Sequence, residues 1–244
     1  MEMIEIIIMS INTFIQKKVM VLINIAIGTF YMFIFFLVLS IILYPGTTFL
    51  DHSTIGYDMT KNFLSDLGRT VTYLGNPNFY SSISFIFAIT MVFIGLFTYF
   101  LAFPFIVNKG NISYRFSQLG SLFGIICAFS FLGIALTPDN YYHNWHMIFV
   151  HLGFRMFLLV MIFHSMAIGF NNLSISKKPI FVYFIFGLVL AWYIYLLNWG
   201  PALDEPDGLA INVISQKITV IGLSLTIFIQ ALMMRKYIRS LSVK

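Results

Sequence analysis

The stretch TPDNYYHNWHMIFVHLGFR, Thr137 to Arg155, sets an acid, three histidines and an arginine inside a chain that is 59% hydrophobic and only 9% charged. Three kinds of chemistry are open to such residues. Histidine and aspartate, with a serine nearby, supply acid–base and nucleophilic catalysis. Histidines with carboxylates hold zinc. Arginine holds a carboxylate or a phosphate. The catalytic candidates are Asp139 and His146 here, joined by Ser65 and Asp66 from the earlier polar run DMTKNFLSDLGRT. Arg155 and His151 are the anion-binding candidates, four residues apart and therefore on one helical face. Asp139, His143, His146 and His151 are the metal candidates.

Helical geometry limits these sets. At about 100° per residue His146 and His151 differ by about 140°, so one helix does not assemble a three-histidine site. A zinc site would need completion by Asp66, Asp139 or His52, and no H-E-x-x-H signature is present. Haem is disfavoured, because axial histidines face each other across helices whereas His146, His151 and His164 share one apolar segment. No G-x-S-x-G elbow marks a serine nucleophile. Arg155 falls about 13.5 Å beyond His146 along a helix, near mid-bilayer. An arginine there costs about 2.5–3.5 kcal/mol and needs a partner: a backbone carbonyl, a polar side chain such as Asn198 or Ser130, an inward-dipping loop carboxylate or a lipid phosphate.

The elements that position these groups are membrane spans. An average soluble domain carries about 25% charged residues; a chain with 9% cannot cover a soluble surface. Six apolar segments reach the roughly 20 residues a spanning helix needs: Val19 to Tyr44, Ser81 to Val107, Gln118 to Thr137, His146 to Phe170, Ile180 to Trp199 and approximately Ile214 to Met234. Continuous apolar runs exclude a transmembrane barrel. The expected fold is all-α, a polytopic six-transmembrane-helix bundle forming one integral membrane domain over residues 1–244, with a long outer loop over 45–80. The first run is too long for a cleavable signal peptide. The segment before it, broken by Glu2 and Glu5, is expected as a short interfacial helix.

Lysine and arginine set the orientation. Lys17, Lys18, Lys109, Arg115, Lys177, Lys178, Arg235, Lys236, Arg239 and Lys244, ten of the fourteen basic residues, fall on one side of a six-span arrangement. Both termini are therefore expected in the cytoplasm, and the chain in the cell membrane. Seven of the nine acids and most of the histidines then collect at the outer face. The net charge of +5 is a topological signal and not a nucleic-acid footprint. The single cysteine, Cys127, rules out a disulfide framework. Gly120 and Gly124 form a G-x-x-x-G packing pair in the third span.

Two outer-face stretches, NFLSDLG (Asn62 to Gly68) and TPDNYYHNWH (Thr137 to His146), resemble the "domain of unknown function 998" family of multi-span membrane proteins, loosely related to the DRAM and Sfk groups. Ser65, Gly68, Pro138, Asp139 and His146 match its pattern; Thr137 replaces an aromatic residue, and His143 and His151 are additional. The resemblance implies a six-helix membrane bundle and supplies no reaction. The expectation is a membrane protein whose outer polar site binds lipid or another amphipathic ligand, with membrane lipids as partners and no nucleic acid. A metal-assisted lipid hydrolase is the enzymatic alternative, resembling the ceramidase and progestin-receptor group in its histidines, aspartate and serine. A small secondary transporter is the third, disfavoured by the lack of paired broken helices or an inverted repeat.

Overall fold

The computed structural model describes residues 2–107, 110–171 and 176–241, with the backbone alone for 2–13 and 241. Lys109 and Lys244, two members of the basic set, lie outside the described residues, as do the side chains of Glu2 and Glu5. Six long helices follow one another: α1 (Glu2–Leu43), α2 (Phe79–Ala102), α3 (Ile112–Leu136), α4 (Asp139–Gly169), α5 (Lys178–Trp199) and α6 (Pro206–Leu241). Each contains a stretch long and apolar enough to cross a membrane, and the chain is a multi-pass membrane protein. Among the described residues there is no β-strand, only isolated bridges joining Gly46 to Ile55 and Val71 to Pro77.

Helix limits follow local chemistry. Asn111 caps α3, its side chain accepting from Tyr114 N at 3.2 Å. Pro138 separates α3 from α4, and Pro179 occupies the first turn of α5, where its missing N–H costs nothing. Several helices overrun their apolar segments. α3 begins at Ile112, α4 at Asp139 and α6 at Pro206, earlier than hydropathy places them. Hydropathy reports only the part inside hydrocarbon, and the polar residues beyond it remain helical at the rim. For the same reason the segment containing Glu2 and Glu5 is no separate interfacial helix but the start of α1.

The most extensive contacts join α1 to α2 and α3 to α4. The G-x-x-x-G pair accepts aromatic rings: a Cβ on Gly124 would lie 2.3 Å from Phe100, and one on Gly120 would lie 2.3 Å from His164 Cδ2. His164 is fully buried and stacks on Phe103 at 3.6 Å between centroids. Its Nδ1 meets the Tyr183 hydroxyl at 3.3 Å, and its Nε2 meets Ser121 Oγ at 3.4 Å.

The connection between α1 and α2 turns back into one end of the bundle. Gly46 (φ 133°) and Thr47 (φ 71°) reverse the chain beyond α1. Thr47 is held left-handed by bonds from Tyr73 N to its Oγ1 (3.1 Å) and from Asn62 Nδ2 to its carbonyl (2.9 Å). Within this connection the amphipathic run DMTKNFLSDLGRT inserts a short 3-10 helix, Leu64–Gly68, with Leu64, Asp66, Leu67 and Gly68 buried. Polar groups of this loop find partners on the helices, among them Leu64 N with Gln216, the Asn62 carbonyl with Lys217 and Thr70 N with Asn140, so the insertion leaves few unpaired groups. Serines of α2 fasten it from below: Ser82 Oγ donates to Gly68 O at 3.1 Å, and Ser81 Oγ to Leu67 O at 3.3 Å.

Candidate functional site

At this long-loop end, Asn62 is the centre of the polar packing, with no exposed surface. Its Nδ2 donates to Asp66 Oδ2 (3.0 Å) and to Thr47 O (2.9 Å), and its Oδ1 accepts from Asp58 N (3.0 Å). Its carbonyl accepts from the Tyr57 hydroxyl at 2.9 Å and from Lys217 Nζ of α6. Next to Lys217, Gln216 Oε1 accepts from Leu64 N at 2.7 Å. Two adjacent polar residues of the last span therefore grip the inserted loop.

Asp66 has its oxygens occupied. Oδ2 accepts from Asn62 and from Phe63 N (3.0 Å), and Oδ1 accepts from the Tyr73 hydroxyl (2.8 Å). Burial, the larger effect, holds its carboxyl above the ordinary range; the bonds from Asn62 and Tyr73, the Arg69 charge and Phe63 N act in the opposite sense. Tyr73 is raised in turn, by burial and then by the Asp66 charge, and Tyr44 is pushed up to about 12 by the same two causes.

Asp139 stands in the first turn of α4, where the helix dipole favours a carboxylate. Arg69 Nη1 bonds its Oδ2 at 3.1 Å, and His143 Nδ1 meets its Oδ1 at 2.8 Å. The Arg69 guanidinium also lies 4.2 Å from the Tyr73 ring centroid. α4 kinks at Tyr142 (φ −127°, ψ 40°). Beyond the kink, His146 is buried with Nδ1 2.8 Å from Thr137 O. A carbonyl oxygen only accepts, so Nδ1 carries the hydrogen and Nε2 presents a lone pair.

These groups surround a cavity of about 520 Å³ between the loop, α4, α5 and α6. Its polar lining includes Ser65, Asp66, Arg69, Asp139, His143 and His146. Its apolar lining includes Phe49, Phe63, Met147, Leu196, Leu197 and Leu203. All four catalytic candidates of the sequence reach this space, together with one of the other metal candidates, His143.

His151 and Arg155 do not line it. Arg155 Nη1 bonds His151 Nδ1 at 2.6 Å and His151 O at 3.1 Å, while Nη2 donates to Asn198 Oδ1 at 3.0 Å. Asn198 precedes the last residue of α5, so the guanidinium reaches the helix rim and not mid-span. Side chains of α4 lean toward its N-terminus, which carries the charge in the same direction. Neither Asp66 nor Asp139 pairs with it. Trp192, Tyr195 and Trp199, exposed and in ring contact along α5, mark the same rim.

Among the described residues no three His, Cys, Asp or Glu side chains converge to hold a metal ion. Arg69 places a positive charge against Asp139 where a cation would have to bind, and His151 is turned to Arg155. The donor set proposed for zinc does not fit. Gln216 and Lys217 escaped the site reading, although two adjacent polar residues in an apolar span are a signal for an inward-facing partner. No family model, curated protein or solved structure matches the chain.

Proposed function

We propose that the chain binds an amphiphile, a membrane lipid or a lipid-like molecule, in the cavity at the long-loop end, and that this end faces outward. The observation that carries the reading is one space of about 520 Å³ whose lining combines charged groups with apolar side chains. Its volume lies in the range of about 300–1,000 Å³ usual for small-molecule sites. The head would lie against Arg69, Asp139 and His143, and the chain against Met147, Leu196 and Leu197. Membership of the "domain of unknown function 998" group is part of the same proposal, since both motifs that carry the resemblance contribute to this wall.

The test is lipid retention. Protein purified in mild detergent should carry near-stoichiometric lipid, identified by mass spectrometry of the extract. Met147→Trp, which narrows the cavity, should lower retention by about tenfold, equivalent to about 1.4 kcal/mol of binding. Lipid-free wild-type protein, or unchanged retention in the variant, would end the reading.

Orientation has its own test, in a Cys127→Ala background. A cysteine replacing the exposed Asp204, between α5 and α6, should react with an impermeant maleimide in intact cells, and one replacing Lys177 should not. The opposite pattern would turn the cavity toward the cytoplasm.

A further inference from the structure

Behind the main cavity lies a smaller chamber of about 30 Å³, walled by apolar side chains except for Ser65, His146 and Gln216. That volume holds about one water, and these groups supply the polar partners a buried water requires. Ser65 and His146 line both spaces, the chamber and the amphiphile cavity.

The two residues differ from their neighbours in what they leave unused. Ser40, Ser81, Ser82 and Ser84 each donate a hydroxyl to a backbone carbonyl, which is how serines of membrane helices are ordinarily consumed. The Ser65 hydroxyl makes no hydrogen bond among the described residues. His146 donates from Nδ1 to Thr137 O, which fixes the ring and directs the lone pair to Nε2. Ser65 is held on both sides: Leu64 N bonds Gln216 Oε1 at 2.7 Å, and Asp66 accepts three hydrogen bonds. A free hydroxyl on a fixed turn and an oriented imidazole thus line the same lipid-sized cavity and the same chamber.

From this arrangement we infer that Ser65 and His146 are the nucleophile and general base of an acyl transfer, acting on a carboxylic ester of the amphiphile. The inference rests on the binding reading for its substrate. Ser65 Oγ attacks the ester carbonyl carbon while its proton passes to His146 Nε2. The bond from that carbon to the alcohol oxygen then breaks, and the alcohol leaves with the proton from His146. A water at the chamber gives a proton to Nε2, and its oxygen attacks the acyl-serine carbonyl. The bond to Ser65 Oγ breaks, Oγ regains the proton, and ester plus water has become acid plus alcohol. Gln216 is a positioning residue through Leu64. No bond joins Ser65 to His146 before the ester arrives; such contacts commonly tighten only in the substrate complex.

The full-length protein in detergent, treated with a fluorophosphonate, tests this directly. The expected result is one phosphonyl adduct on the peptide containing Ser65, absent from Ser65→Ala and formed about 100-fold more slowly in His146→Gln. Gel-filtration profiles of both variants exclude misfolding as the cause. If His146→Gln does not fold, the pH profile of wild-type labelling replaces it: a rate that falls in acid as one imidazole takes up a proton supports the pair, and a rate independent of pH down to the limit of folding overturns it. Unlabelled wild type, an adduct on another serine, or a rate independent of His146 also overturns it. Wild-type protein that retains lipid but takes no label removes the acyl transfer and leaves the binding reading standing; labelled Ser65 without retained lipid does the reverse.

Discussion

Asn62→Leu should unfasten the long loop from the bundle and cost more than about 3 kcal/mol. The two side chains are similar in volume, so the loss is polar. Asp58 N loses its acceptor at 3.0 Å and is left unpaired, while Thr47 O keeps only the Tyr44 hydroxyl and Asp66 Oδ2 keeps only Phe63 N. The unpaired amide costs about 1–3 kcal/mol and each of the two other lost bonds about 0.5–1.5 kcal/mol. Thr47, whose left-handed backbone depends on this contact, should relax as well. Thermal unfolding in detergent should show a lower midpoint, and limited proteolysis should cut within 44–78 while the helices survive. Wild-type resistance to protease and an unchanged midpoint would mean that Asn62 does not hold the loop.

Asp66→Asn should behave in the opposite way, leaving the protein as stable as the wild type near neutral pH or more so. Asparagine can repeat the pattern: its oxygen accepts from Asn62 Nδ2 and Phe63 N, and its amide donates to the Tyr73 oxygen. It does so without a buried charge. The pH dependence follows from the raised carboxyl. Between the ordinary 3.8 and its higher folded value the folded state holds more protons than the unfolded state, so stability falls as pH rises through that window and levels off above it. The contribution of Asp66 is therefore most favourable in acid, and Asp66→Asn should flatten that slope. Asp66→Ala, which leaves three donors without an acceptor, should be destabilised at every pH. If Asp66→Asn is instead as damaging as alanine, the carboxylate itself is required at this position.

The six spans could be read from hydropathy because burial in lipid demands apolar residues on every face, a signal local in sequence. Asn198 as a partner of Arg155 was also within reach, since a charge in a span restricts its partners to a short set of polar side chains. The level of Arg155 was not, because it depends on which residue of α5 stands opposite it, and hydropathy carries no information on the stagger of two helices. The inserted loop was hidden for a different reason. Its 3-10 helix is held by residues more than 150 positions away, Gln216 and Lys217, and periodicity carries no information about such pairs. The serines show the same limit. Nothing in their spacing separates Ser65, with its free hydroxyl, from Ser81, whose hydroxyl is bonded to α1.

The grip of α6 on the loop between α1 and α2 has a consequence for how the protein is made. Synthesis proceeds from the N-terminus at about 5–20 residues per second, so the loop leaves the ribosome well before its fasteners exist. Through that interval Leu64 N must be hydrated or bound by another protein, and the Asn62 carbonyl has only the Tyr57 hydroxyl. Lys217, for its part, enters the membrane as a charge whose neutral anchor is already waiting. The last span is thus the latch of the first hairpin, and the cavity acquires its complete wall only when that span arrives. Chains stalled before residue 206 should carry a protease-sensitive loop between two inserted helices, which gives the cell's surveillance machinery a mark by which to distinguish unfinished from finished copies.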